Sequence, residues 1–161
     1  MKKKTKTKLE KKWQNLPIHH IDACIVMEVF MEDKEYEKCE DYLNRIGYKY
    51  RGNISISALG EILMGIIKKF EEEIDRQESF LFVNQLIDKR KLVFSSPQFK
   101  TYRIVEKIKS VETRAEPMDA LNLATAITEN ADVFVTLDDK LAGNKKLESA
   151  FEIKIKHPSE L

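Results

Sequence analysis

The stretch "ADVFVTLDDKL", residues 131–141, constrains the fold more than any other part of the chain. Val133, Phe134 and Val135 are apolar in succession, so neither face of a strand built from them is polar. Such a strand is covered on both faces, as in the interior of a parallel sheet. It then stops at Thr136 and is followed by Asp138 and Asp139, two adjacent carboxylates. Like charges that close repel, and water, a cation or a raised pKa must compensate.

The rest of the chain alternates strand and helix signals. "IHHIDACIVMEVF" begins as a strand and turns densely apolar, and "DKEYEKCEDYLNRIGYKY" places Tyr36, Cys39, Tyr42, Leu43 and Ile46 at helical spacing, with Gly47 as a stop. "NISISALGEILMGIIKKF" is a short strand leading into a helix with Leu59, Ile62, Leu63, Ile66 and Ile67 inside. The polar run "KKFEEEIDRQE" precedes a further helix in "SFLFVNQLIDKRKL". "LVFSSP" reads as strand then break, "QFKTYRIVEKIKSVETR" as helix, and "EPMDALNLATAITENAD" as the clearest helix, with Pro117 in its first turn. "FEIKIKHP" supplies a last strand that Pro158 ends. Strands alternating with helices predict βαβ units: a central, mostly parallel sheet of four to five strands between two helical layers.

With 161 residues, the chain suits one domain with one sizeable core. No run approaches the ~20 apolar residues of a membrane span. The lysine-rich start lacks a signal peptide's apolar segment, and Cys24 and Cys39 form no CxxC pair, so a reduced, cytoplasmic setting is expected. Residues 1–18 hold seven lysines and one glutamate, a local +6, so the net +1 of the chain leaves −5 on residues 19–161. The expected organisation is a basic, flexible arm over 1–18 and one acidic domain over 19–161. An acidic body meets a polyanion only through local basic patches or through cations. A solubilising tail is the plainer reading of the arm.

In a parallel α/β sheet the ligand crevice lies outside the carboxyl ends of the strands. Four acids fall there: Asp22 after the first strand, Glu61 in the helix after the second, Asp119 at the start of "MDALNLATA", and Asp138 after "VFVT". Each has a plainer alternative. Asp119 suits the positive end of its helix, Glu61 a solvated surface, and Asp138 or Asp139 a cap. Asp22, between Ile21 and Ala23, is the hardest to dismiss, because an unpaired buried carboxylate is costly. Together they form an all-oxygen set suited to Mg²⁺ or Mn²⁺ rather than zinc.

"IDACIVMEVF", "SISALGEILMG" and "MDALNLATAITENADVFVTLDDKL" resemble, in order and spacing, the signature segments of PIN domains, the nuclease fold named after the PilT N-terminus. The resemblance covers about residues 19–156 and implies a three-layer α/β/α PIN-like fold. Carried over, the family's catalytic acids fall on Asp22, Glu61, Asp119 and Asp138, with metal held by Asp22, Asp119 and Asp138, and Thr136 as the small hydroxyl residue beside the last acid. Two positions depart from the pattern. Cys24 stands where Ser or Thr is usual, and Lys140 where a further acid often follows, with Asp139 as a substitute.

The resemblance implies a Mg²⁺/Mn²⁺-dependent endoribonuclease, similar to the VapC class of toxins, held inactive by a small antitoxin and assembled as a homodimer away from membranes. A housekeeping RNA-processing nuclease and a non-catalytic binding module are the alternatives. Lys140, Lys145, Lys146, Arg51 and the "KKKTKTK" arm are candidates for RNA contact. Tyr48 and Tyr50 beside Arg51 suit either base stacking or end-of-helix packing. No GxxxxGK[ST] occurs, which argues against ATP use, and "DACIV" lacks the second Asp of haloacid-dehalogenase-type phosphoryl transfer.

Overall fold

A computed structural model describes residues 13–88 and 92–161. Five strands form one sheet in the order β3-β2-β1-β4-β5: β1 (Ile18–Ile21), β2 (Arg51–Ser55), β3 (Leu92–Ser95), β4 (Val133–Val135) and β5 (Lys154–Lys156). All four pairings are parallel, so every strand delivers its carboxyl end to one edge. Helices α1 (Ala23–Met31), α2 (Tyr36–Asn44), α3 (Ile56–Lys69), α4 (Glu73–Asp88), α5 (Thr101–Val111), α6 (Pro117–Thr128) and α7 (Lys145–Phe151) cover the sheet.

The period of two along the strands divides the interior into two cores. Ile21, Val133 and Val135 pack with α1, α2, α3 and α4 on one face. Phe134 packs with α5, α6 and α7 on the other. This is the three-layer α/β/α arrangement, and it explains why β4 carries no polar residue. Burying Phe134 completely contributes about 2–3 kcal/mol.

Local capping fixes where strands give way to helices. The Asp22 side chain caps α1 by accepting from the Ala23 amide, and Ser55 caps α3 by accepting from the Ala58 amide at 3.0 Å. Pro117 occupies the first turn of α6, where its missing N–H costs nothing. Gly47, at φ +86°, closes the turn after α2.

Two sequence expectations need correction, and two alternatives left open are decided. Helix α4 begins at Glu73, inside the polar run, because Glu, Arg and Gln are good helix formers and need no core to lie against. Ile67 is 48% exposed, since only Ala58, Ile62 and Ile66 of α3 reach the buried side. Helix α7 follows from Asn144, whose side chain accepts from the Lys146 and Leu147 amides at 3.2 Å, rather than from a cap at Asp138 or Asp139. Of the two readings of Tyr50, packing is the one observed: it is buried and stacks on His19 with ring centroids 4.1 Å apart.

The first twelve residues, which hold the "KKKTKTK" run, lie outside the described residues. Trp13 to Pro17 lie against the start of β2. The Arg51 guanidinium sits 5.3 Å from the centre of the Trp13 ring, its Nε donates to the Leu16 carbonyl, and its amide donates to the Pro17 carbonyl. Among the described residues, no helix is long and apolar enough to cross a membrane.

His20 is the conspicuous polar group of the core. It is fully buried in β1 beside Phe134, and neither ring nitrogen has a hydrogen-bond partner. Burial drives its pKa from 6.5 down to about 3. The unfolded chain therefore binds the proton first, and stability falls as the pH drops from 6.5 towards 3. Replacing His20 with leucine removes two unsatisfied nitrogens, and urea unfolding should show a gain of about 1–2 kcal/mol at pH 7 that widens at pH 5. An equal or lower stability at both pH values would contradict this account of the residue.

Candidate active site

The carboxyl edge of the sheet gathers side chains from four separate stretches. Asp22 follows β1 and is 3% exposed. Four donors meet its carboxylate. Oδ1 accepts from the Ala23 amide at 2.9 Å and from Asn122 Nδ2 at 3.2 Å. Oδ2 accepts from the Thr136 hydroxyl at 2.7 Å and from the Cys24 thiol at 3.3 Å. Burial pushes the Asp22 pKa up, and these hydrogen bonds oppose that shift. Thr136, buried at the end of β4, also accepts from the Asp138 amide at 3.1 Å and so ties the two acidic segments together.

Asn122 is the centre of the arrangement and was not anticipated. It is fully buried on α6, one turn beyond Asp119. Its Oδ1 accepts from the Ser55 and Ser57 hydroxyls at 2.7 and 2.8 Å. Its Nδ2 donates to Asp22 and, at 2.9 Å, to Glu61 Oε2. Ser57 and Glu61 are four residues apart on α3 and therefore share the face that meets Asn122. The available signal was an asparagine inside the apolar pattern of "DALNLATA": a polar side chain at a core position needs partners. Ser55 and Ser57 carried only the cue of a helix start.

The remaining acids are less enclosed. Asp119, in the first turn of α6, has its pKa raised from 3.8 to about 7, first by burial and then by Asp22, Asp138, Glu116 and Glu61. Burial also raises Glu61; the Asn122 hydrogen bond opposes that shift, and Asp22 adds to it. Asp138 Oδ1 accepts from the Lys140 amide at 2.8 Å. Asp139 is exposed. Among the described residues, no lysine or arginine makes an ion pair with Asp22, Glu61, Asp119 or Asp138. Lys140 pairs instead with Glu116 at 3.6 Å, and Arg114 with Glu112 at 2.9 Å.

Cys24 fills the position noted as a departure. Its thiol donates to Asp22 and its sulfur accepts from the Leu137 amide at 3.3 Å. Burial and the neighbouring Asp22 push its pKa well up, so it remains a protonated donor, as a hydroxyl would. Lys145 and Lys146 open α7 beyond the loop after β4, and Lys145 pairs with Glu148 at 2.6 Å. Arg51 starts β2, at the opposite end of the strands, and stands apart from the acids.

Among the described residues, no three His, Cys, Asp or Glu side chains are arranged to hold a metal ion as they stand. The donor chemistry nevertheless fits a hard divalent cation, being all-oxygen, partly buried and lacking a paired cation. Ligation would require side-chain rotation, and Asp22 would first yield its weakest donor, the Cys24 thiol.

A parallel three-layer domain with clustered acids at the strand ends defines a class of α/β proteins that is matched directly. The PIN domain model covers residues 20–147, and the chain belongs to the PIN domain family. No curated protein matches the chain in sequence. Solved structures similar to it include VapBC2 from Rickettsia felis bound to a promoter DNA fragment, at a TM-score of 0.61 and 16% identity over 87% of this chain and 98% of that one. FitAcB from Neisseria gonorrhoeae gives 0.62 and 13% over 89% and 99%. VapC20 from Mycobacterium tuberculosis, a toxin cleaving the sarcin-ricin loop, gives 0.57 and 9% over 83% and 95%. At these identities the likeness establishes the fold.

The Asp119 shift has a consequence for stability. Its folded pKa lies above the unfolded value, so the penalty is absent near pH 4 and grows as the pH rises through about 7. Asp119→Asn should flatten that decline, and thermal melts at pH 7.5 should show the variant equal to or more stable than the parent. A clear loss of stability at pH 7.5 would assign Asp119 a structural role instead.

Proposed function

We propose that this PIN domain is a Mg²⁺- or Mn²⁺-dependent endoribonuclease and the toxin of a toxin–antitoxin pair. The observation that carries this reading is the set of four carboxylates gathered at the sheet's carboxyl edge, where burial and then the neighbouring acids raise Asp119 to about 7, with no lysine or arginine paired to any of the four among the described residues. The similarity to VapBC and FitAB complexes supports the toxin–antitoxin assignment, and the similarity to a toxin that cleaves the sarcin-ricin loop supports RNA as substrate.

Asp119 and Asp138 would hold the ion, and Asp22 would join them directly or through water. When bound, such an ion supplies Lewis-acid neutralisation of the phosphodiester and a water of lowered pKa. Glu61, tethered through Oε2 to Asn122, would complete the coordination or position the attacking water. Lys140, paired with Glu116, would meet a backbone phosphate, and Lys145 and Lys146 at the start of α7 are further candidates for such contacts. The exposed apolar residues Ile56, Met64 and Ile67 along α3 offer a surface for a homodimer or for the antitoxin. A housekeeping RNA-processing nuclease would share this chemistry and differ in substrate. A cytoplasmic location accords with an RNA target.

One observation favours a non-catalytic binding module: the Asp22 carboxylate is saturated by four donors. Two measurements separate the readings. A fluorogenic RNA should be cleaved with Mn²⁺ and not with EDTA, and Asp119→Asn should lower the rate by about 100-fold or more while the protein stays folded. Calorimetry should show Mn²⁺ binding that Asp22→Asn weakens. Equal, negligible Mn²⁺ uptake by both forms would overturn the catalytic reading.

A further inference from the structure

The position of the Asn122 amide bears on how many ions the site accepts, and the inference rests on the divalent-nuclease reading above. In a two-ion site the cations lie about 3.5–4 Å apart, each shared between carboxylates. Here the space between Asp22 and Glu61 is taken by Asn122 Nδ2, 3.2 Å from Asp22 Oδ1 and 2.9 Å from Glu61 Oε2. Its two hydrogens supply each carboxylate with the positive partner that a bridging ion would otherwise provide.

The amide is also fixed in place. Ser55 and Ser57 both donate to Oδ1, so the nitrogen must face the acids; the reversed orientation would set oxygen lone pairs against two carboxylates. The side chain is fully buried on α6. Swinging it away would break four hydrogen bonds, two from serine hydroxyls and two to carboxylates, and would leave Glu61 without its one side-chain donor among the described residues.

We infer that the Asn122 carboxamide occupies the place of a second cation between Asp22 and Glu61 and restricts the site to one divalent ion, held on the Asp119 and Asp138 side. Asn122 is thus a positioning residue that sets metal stoichiometry. Replacing it with an isosteric carboxylate converts the blocked position into a ligand, and truncating it empties the position.

The test is a count of Mn²⁺ bound per full-length chain by equilibrium dialysis with metal analysis, accompanied by electron paramagnetic resonance. The parent protein should bind one ion and show an uncoupled Mn²⁺ spectrum. Asn122→Asp and Asn122→Ala should each bind two, with spin coupling between neighbouring ions, and thermal melts would confirm that the counted variants are folded. Two coupled ions in the parent, or a single ion in either folded variant, would overturn the inference. The parent count decides the matter alone if both variants fail to fold. No ion in the parent would instead remove the nuclease reading on which the inference stands.

Discussion

The structure depends on a buried carboxyl group placed where the central strand ends. Asp22 is almost wholly shielded from water, yet no lysine or arginine pairs with it among the described residues. Its cost is offset by donors from three parts of the chain: Ala23 and Cys24 at the start of α1, Asn122 on α6 and Thr136 after β4. These bonds draw β1, β4 and α6 together at the carboxyl edge, and Asn122 extends the network to Ser55, Ser57 and Glu61 around α3. The same contacts that make a buried carboxylate tolerable therefore assemble the acidic site.

The fold carries opposing electrostatic strains. On the core side, His20 resists protonation because burial excludes its charge and no partner receives it. At the sheet edge, Asp119 resists ionisation because it is half-enclosed among other acids. The first disfavours acid and the second disfavours neutral and higher pH, so intrinsic stability is squeezed from both sides. A bound divalent cation would relieve only the second strain. Such binding would couple folding stability to site occupancy through mass action.

Much of this was legible in the sequence because it follows from periodicity. An apolar three-residue strand, alternating elements and a proline-led helix are local signals, and they give a parallel three-layer architecture without knowledge of any contact. The acids after the strands were legible for the same reason: parallel strands place their carboxyl ends together. Other features were not. Arg51 reads in sequence as a candidate RNA contact without a location, and only the register shows that it lies at the amino end of β2, away from the acids. Tyr50 suits base stacking or packing equally well in sequence, and its stack on His19 decides for packing. Asn122 was hidden because its meaning lies in hydrogen bonds to residues 61 to 100 positions away in sequence. Long-range pairing of polar groups leaves no period along the chain.

The central claim is that these acids form one electrostatic unit balanced by a divalent cation. The most direct measurement is anomalous diffraction from crystals of the full-length protein soaked in Mn²⁺. The account predicts a peak about 2.0–2.2 Å from carboxylate oxygens of both Asp119 and Asp138. An anomalous peak only elsewhere, or none at saturating Mn²⁺, would contradict it.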